Sequence, residues 1–165
     1  MGDSATASLP FHVTPTAADG RPRLALRVGI SGHRDFKSFD AVQIDQTLAE
    51  IFDAITATVK DLREDPQLNE VYAAAPALLQ LLSPLATGAD RATARQALAR
   101  GWHLASPLPF LQQTYEADFK DSVVEFRGLL ANAVKDSAVV ELDGDYTEGD
   151  KRNRGYLEVG RFVVR

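Results

Sequence analysis

The sequence lacks cysteine altogether and contains only three histidines in 165 residues. The absence of cysteine excludes disulfide bonds and thiolate metal sites, and it is typical of proteins of a reducing cytoplasm. The histidines His12, His33 and His103 are far apart along the chain, so a histidine-rich metal site is not expected. We therefore expect a cytoplasmic protein with no metal site and no cofactor.

Long apolar runs and an excess of positive charge are also absent. No apolar stretch approaches the length of a membrane span, and the first residues lack the basic-then-apolar pattern of a signal peptide. The net charge of −5 argues against a nonspecific grip on nucleic acid, although it is compatible with a local basic pocket. We expect a soluble globular protein with neither a membrane nor a nucleic-acid partner. The sequence leaves open whether the chain forms a homo-oligomer.

The composition changes after about residue 22. Residues 1–22 are rich in Ser, Thr, Ala, Pro and Gly and show little periodicity, which predicts a flexible N-terminal leader. The remainder, 23–165, predicts one domain in which strands and helices alternate. Strands are predicted over 24–30, 78–82, 102–108 and 137–142. Helices are predicted from the N-cap Asp40 to about Glu64, and over 89–100, 112–119, 121–134 and 155–165.

This alternation predicts the fold class. Strands separated by crossover helices form parallel sheets. We therefore predict an α/β fold, a Rossmann-like parallel sheet of at least four strands with helices on both faces. Residues 67–76 are ambiguous, and the charged stretch 145–154 predicts a loop.

A short polar loop follows the first predicted strand. It contains Gly32, His33 and Arg34. Gly32 lets the backbone approach a ligand closely, and Arg34 supplies a permanently charged fork that suits phosphate or carboxylate. His33 can donate, accept or titrate near neutral pH. The alternative is that these residues only tighten and solvate the turn.

A second loop with the same character precedes the third predicted helix. It contains Gly88, Ala89, Asp90 and Arg91, at a helix start whose free N–H groups can face an anion. Parallel strands place both loops at one edge of the sheet, so Arg34 or Arg91 is expected to complete a phosphate clamp. The alternative is that Asp90 caps the helix and Arg91 is a solvated surface residue.

Other polar and aromatic residues receive structural interpretations. Trp102 and Phe110 are expected to be core aromatics rather than platforms for a base. Asp118, with Tyr115 and Phe119, either braces the third loop or faces the ligand, and we favour bracing. The acids between 143 and 150 predict a solvated loop rather than a metal cluster, and Lys151, Arg152 and Arg154 offset those acids or reach a phosphate.

The motifs G-I-S-G-H-R, S-P-L-A-T-G-A-D-R and L-P-F, with Tyr115 and Asp118 downstream, resemble the SLOG superfamily of Rossmann-like domains. That superfamily includes the DNA-processing protein A domain and the lonely-guy phosphoribohydrolases, and the likeness is greatest to sensor-type or uncharacterised bacterial members. It extends from about Leu24 to the C-terminus. The resemblance implies binding of a nucleotide or nucleotide-derived ligand, often in signalling or antiviral conflict. The positions that it carries over are Gly32, His33, Arg34, Gly88, Ala89, Asp90 and Arg91.

Two features depart from that family. The P-G-G-x-G-T-x-x-E segment, which supplies phosphate contacts and a catalytic glutamate in the lonely-guy enzymes, does not occur here. The sequence ends at 162–165, where members of the family usually continue into another strand and a second glycine-rich loop. We therefore expect a domain that is incomplete at its C-terminus and holds part of the ligand cradle.

Three functions are compatible with these observations. The first is a sensor that binds a nucleotide-derived phosphorylated ligand without chemistry, and we favour it because no convincing acid–base pair is evident. The second is a phosphoribohydrolase-type cleavage of a nucleoside monophosphate, for which Asp90 is the one acid that we nominate as catalytic. The third is single-stranded DNA binding, against which the acidic balance counts.

Overall fold

Four short segments pair into one parallel sheet, which confirms the predicted α/β class. The structure, a computed structural model, describes residues 20–35, 40–146 and 149–164. The strands lie side by side in chain order as β1 (Ala25–Gly29), β2 (Leu78–Leu82), β3 (His103–Leu108) and β4 (Val139–Glu141). The helices are α1 (Ala41–Leu62), α2 (Pro66–Val71), α3 (Ala89–Ala99), α4 (Gln112–Glu116), α5 (Val123–Lys135) and α6 (Asp150–Val163). A short 3₁₀ helix at Ala117–Phe119 follows α4.

The predicted leader lies mostly outside the described residues, since the structure describes none of 1–19. Arg21 and Pro22 already contact the folded domain, because Arg21 donates to the carbonyl of Asn69 and the carbonyl of Pro22 accepts a hydrogen bond of 2.9 Å from the N–H of Ala73. None of the helices that the structure describes is long and apolar enough to cross a membrane.

Aspartates start the first two helices. The Asp40 side chain accepts hydrogen bonds from the N–H groups of Val42 and Gln43, as the predicted N-cap requires. Asp65 caps α2 in the same way, and Pro66 occupies its first turn, where a missing N–H costs nothing. The Asp65-Pro66 pair therefore ends one helix and begins another, which accounts for the ambiguity of 67–76.

Helices cover both faces of the sheet. Val28 of β1 is in register with Leu81, which is in register with Leu104, and all three face the main core. The helices α1, α3 and α5 contact one another in sequence and pack on this face. Neighbouring residues of a strand point to opposite faces, so Gly29 points away from that core. A Cβ atom at Gly29 would lie 2.6 Å from Cγ1 of Val163, which places α6 on the second face.

The core contains the aromatic residues that the sequence analysis assigned to it. The rings of Phe52 and Trp102 meet edge to face at 4.7 Å, and both side chains are buried. The indole N–H of Trp102 donates to the hydroxyl of Thr56 at 3.0 Å, so the one polar atom of the ring has a partner.

The charged stretch 145–154 is not all loop, which corrects the prediction. Helix α6 begins at Asp150, so residues 150–154 are helical. This part of α6 is strongly polar and has no apolar periodicity, which is why its helical character is invisible in the sequence. The earlier start places Arg152 on the same helix as Tyr156.

The strand order also bears on where a ligand can lie. Open α/β sheets usually bind ligands where the strand order reverses, between two neighbouring strands whose connections diverge. The four described strands run in sequence without a reversal. The loops that follow the neighbouring strands β1 and β2 are therefore adjacent, and α6 and the 3₁₀ helix add further residues to the same edge.

We predict that Gly29→Ala lowers the free energy of unfolding by about 1–3 kcal/mol, since overpacking must displace α6. The added methyl group would lie 2.6 Å from both Cγ1 and the carbonyl oxygen of Val163. Urea unfolding measures the change. Gly128→Ala in α5 is the control, because no heavy atom lies within 4 Å of that position and the helix should gain up to about 1 kcal/mol. Equal effects of the two substitutions would contradict this docking of α6.

Candidate functional site

The two loops singled out in the sequence are in direct contact. The carbonyl of His33 accepts a hydrogen bond of 3.0 Å from the N–H of Ala89. A Cβ atom at Gly32 would lie 2.4 Å from that of Ala89, and one at Gly88 would lie 2.6 Å from the carbonyl oxygen of Arg34. The expected convergence of the loops at one edge of the sheet is therefore confirmed. Their role in ligand binding stays a prediction.

This contact changes the role expected for the start of α3. Gly88 has a φ of +85°, which favours glycine, and it immediately precedes the helix. The first N–H of the helix, that of Ala89, is taken by His33 rather than directed at solvent. The main role of Gly88 and Ala89 is thus to pack one loop against the other.

Asp90 is buried behind this contact, with 4% of its surface exposed. Its Oδ2 accepts a hydrogen bond of 3.1 Å from the N–H of Ala86, so it closes the loop before α3. Burial raises the pKa of Asp90 to about 6, against the opposing effects of that hydrogen bond and of the nearby charges of Arg34 and Arg91. A carboxyl group with this pKa can exchange a proton near neutral pH, but a substrate would have to reach it past the loop.

Arg91 is a buried structural residue, with 2% of its surface exposed. Its Nε donates to the carbonyl of Leu85 at 2.9 Å, and its Nη1 donates to Ser122 and to Glu125 at 3.1 Å. The guanidinium also lies 4.5 Å from the ring centre of Phe119. Arg91 therefore ties the β2–α3 loop to the start of α5. The structure places it neither in a phosphate clamp nor on a solvated surface, because its length lets it reach both the β2–α3 loop and the start of α5 from inside the domain.

Arg34 is the predicted cation that the structure places at the edge. Its side chain is 46% exposed, and its Nη2 lies 3.9 Å from Oδ2 of Asp118. Its guanidinium carbon lies 4.9 Å from the ring centre of Tyr156, a cation–π distance. His33 precedes it and is exposed.

Several side chains at this edge of the sheet bind the carboxylate of Asp118. Its side chain is only 3% exposed, and it accepts hydrogen bonds from the hydroxyl of Tyr146 at 3.0 Å and from that of Tyr156. Arg152 also donates its Nη2 to this carboxylate. We call Arg34, Asp118, Tyr146, Arg152 and Tyr156 the rim cluster. It joins the loop after β1, the 3₁₀ helix, the loop after β4 and α6.

A buried ring supports the rim cluster from below. Phe110 lies edge to face with Tyr146 at 5.1 Å and with Tyr156 at 5.4 Å. A Cβ atom at Gly155 would lie 2.5 Å from the Phe110 ring, and one at Gly144 would lie 2.2 Å from the carbonyl oxygen of the preceding proline, Pro109. Phe110 is therefore a core aromatic, as expected, and it holds both tyrosines in place.

The sequence analysis missed most of this cluster. Tyr146 and Tyr156 were given no role, and Arg152 was expected chiefly to offset nearby acids. One signal was available, because Arg152 and Tyr156 are four residues apart and so share a face of any helix. Of the three residues expected to brace the third loop, Tyr115 contacts it, since its ring centre lies 6.4 Å from that of Phe110, whereas Asp118 binds the tyrosines and cations of the edge.

A cavity of about 540 Å³ adjoins the rim cluster, within the range of small-molecule sites. It is lined by Pro109, Leu142, Asp143, Gly144, Asp145, Arg154, Gly155 and Glu158. Among the residues that the structure describes, no group of three or more histidine, aspartate or glutamate side chains could hold a metal ion. None of these lining residues belongs to the rim cluster, and three of them, Asp143, Asp145 and Glu158, are acidic.

Comparison of the chain with family models, with curated proteins and with solved structures finds no match. The resemblance to the SLOG superfamily therefore stays a prediction.

We predict that Arg91→Met lowers the free energy of unfolding by about 2–4 kcal/mol, because the buried carbonyl group of Leu85 and the half-buried one of Ser122 lose their donor. Arg95→Met is the matched control, since Arg95 pairs with the same Glu125 but is half exposed, and it should cost less than about 1 kcal/mol. Urea unfolding of both variants measures the difference. Similar costs for both would contradict the structural role of Arg91.

We also predict that Asp90→Asn becomes increasingly stabilising, relative to the wild type, as the pH rises. The pKa of Asp90 is raised by burial from 3.8 to about 6, so the folded state binds the proton more tightly than the unfolded chain. Wild-type stability should therefore fall as the pH rises between these values, whereas asparagine carries no charge. The expected relative gain between about pH 4 and pH 7 is about 2–3 kcal/mol, measured by urea unfolding at each pH.

Asp53→Asn is the control for this pH dependence. A hydrogen bond from Arg100 lowers the pKa of Asp53, so its stabilising effect is lost as the pH falls and the sign is opposite. A stability difference between Asp90→Asn and the wild type that does not change with pH would contradict the raised pKa.

Proposed function

We propose that the protein binds a phosphorylated, nucleotide-derived small molecule at the rim cluster and acts as a sensor without chemistry of its own. The observation that carries this proposal is the convergence of two arginines from different elements. Arg34 and Arg152, 46% and 34% exposed, both approach one point at the carboxyl edge of the sheet.

Phosphate is the anion that best fits these donors. A guanidinium presents planar, paired N–H groups that match the oxygen atoms of phosphate, and it stays charged at every physiological pH. Arg152 lies 4.6 Å over the ring of Tyr146, and Arg34 lies 4.9 Å over the ring of Tyr156. These ring contacts restrict both side chains, so less conformational entropy is lost when an anion binds.

The charge distribution favours a small anion over a nucleic acid. The whole chain carries a net charge of −5, so a polyanion would meet repulsion away from the rim cluster. A small molecule would meet only the local arginines. The motifs that resemble the SLOG superfamily support the same proposal, since they include Arg34 and the loop that packs against it.

A binding function is preferred to glycosidic cleavage for a structural reason. Asp90 has a pKa that suits acid–base work near neutral pH, but it is buried and bonded to the N–H of Ala86. Asp118 is engaged by two hydroxyl groups and by Arg152. Neither carboxylate is free to position water against a ribose.

The test is isothermal titration of AMP, ADP-ribose and cyclic nucleotides into the protein. We expect at least one of them to bind, and we expect Arg34→Gln and Arg152→Gln each to weaken its binding by about tenfold or more, the loss of a charge-assisted pair. Arg161→Gln is the matched control, because Arg161 is an exposed arginine of α6 that pairs with Glu158. It should leave affinity unchanged.

The proposal would be refuted if folded protein bound none of these nucleotides. It would also be refuted if Arg34→Gln, Arg152→Gln and Arg161→Gln lowered the affinity equally. Release of free base during the same incubations, abolished by Asp90→Asn, would favour the hydrolase instead.

A further inference from the structure

Asp118 occupies the position to which an anionic ligand would be drawn. Three donors from the loop after β4 and from α6 end on this one carboxylate, which is 3% exposed. Arg34 is different, because its Nη2 lies 3.9 Å from the carboxylate, beyond hydrogen-bond distance. A phosphate that binds the exposed side of Arg34 would therefore lie within a few ångströms of a fixed negative charge.

We infer that Asp118 determines the charge of the ligand, so that the rim cluster selects a singly charged phosphodiester over a doubly charged phosphomonoester. This inference rests on the proposed function and assigns the class of phosphate that the site accepts. Arg34 and Arg152 contribute two positive charges to the cluster, and Asp118 cancels one of them. A singly charged ligand brings the net charge of the cluster to zero, whereas a doubly charged ligand leaves one excess negative charge.

The hydrogen bonds of the cluster hold the carboxylate of Asp118 in position, so that a ligand cannot displace it. Tyr146 and Tyr156 both donate to it, and both rings are packed against Phe110. A dianion cannot displace the carboxylate without leaving it buried and stripped of these donors. Asp90 also disfavours a doubly charged ligand, because its carboxyl group lies near enough to Arg34 for their charges to interact.

The repulsion between Asp118 and the ligand scales with the charge of the ligand. At the edge of a protein, one additional unit charge a few ångströms away corresponds to about tenfold or more in affinity. The wild type should therefore bind a diester about tenfold more tightly than a monoester of the same shape. Removing the charge of Asp118 should abolish this preference, because the monoester then gains more than the diester.

The experiment compares AMP with its methyl ester, adenosine 5′-(methyl phosphate), by isothermal titration at about pH 7.5. The two probes share base and ribose and differ by one methyl group and one charge. Asp118→Asn keeps the shape of the side chain and one oxygen, which can accept from one of the two tyrosines. We expect the affinity ratio of diester to monoester to fall by about tenfold in this variant.

Asp61→Asn is the matched control. Asp61 is an exposed residue in the last turn of α1, and its substitution changes the net charge of the protein by the same amount. The ratio should stay at the wild-type value. This control separates a local effect of Asp118 from a general effect of net charge.

A second measurement needs no substitution, so it stands even where Asp118→Asn does not fold. The second ionisation of a phosphomonoester has a pKa of about 6, so AMP becomes singly charged as the pH falls. Wild-type affinity for AMP should then approach that for the methyl ester between about pH 7.5 and pH 5.5. Asp90 titrates in the same range, but at about pH 5.5 both probes carry mainly a single charge, so its effect on the two affinities is then alike.

The outcomes distinguish this inference from the proposed function. A wild type that binds AMP as tightly as its methyl ester, or a ratio that Asp118→Asn leaves unchanged, would overturn the selection of a diester while the binding function stands. Failure of both probes to bind either protein would overturn the binding function and this inference together.

Discussion

A carboxylate withdrawn from water must find donors within the protein, and Asp118 meets this requirement with three donors from the loop after β4 and from α6. Its place in a 3₁₀ helix after β3 is held by the aromatic ring contacts of Tyr115 and Phe119 with each other and with α5. Around it the start of α6 and the loop after β4 are fixed. The buried negative charge of Asp118 thus holds these elements together at the edge of the sheet. It also attracts the two nearby cations, Arg34 and Arg152.

Close backbone approaches give this edge its shape. Gly29 lets the end of α6 lie directly on β1, and Gly155 lets the start of the same helix lie on the ring of Phe110. Gly88 lets the β1–α1 loop rest on the start of α3. Each contact has room only for a hydrogen atom on the glycine. The three together bring elements from both faces of the sheet to one place.

Two arginines of similar appearance have opposite roles in this arrangement. Arg91 is enclosed, with carbonyl groups, a carboxylate and a ring around its guanidinium, and it holds a loop to α5. Arg34 is half exposed and lies over a tyrosine ring. A chain that is acidic overall thereby presents positive charge at the carboxyl edge of the sheet, where backbone and side-chain groups from several loops meet.

The sequence by itself determined the α/β class, the parallel sheet and the meeting of the two glycine loops. These follow from local signals, since apolar alternation defines β1, the cap Asp40 starts a helix, and parallel strands place successive loops at one edge. The burial of Arg91 was not predictable in this way. The local sequence around an arginine in the first turn of a helix is the same whether its side chain is exposed to water or buried in the domain.

Only the tertiary structure decided the rim cluster. Arg152 and Tyr156 reach Asp118 across 34 and 38 residues of chain, and the polar first turn of their helix, which carries Arg152, has no apolar periodicity that points to a partner. Their orientation depends on α6 crossing to the second face of the sheet, where Val163 meets Gly29. Periodicity and capping report the nearest neighbours along the chain, whereas the position of a charge in space depends on how whole elements pack.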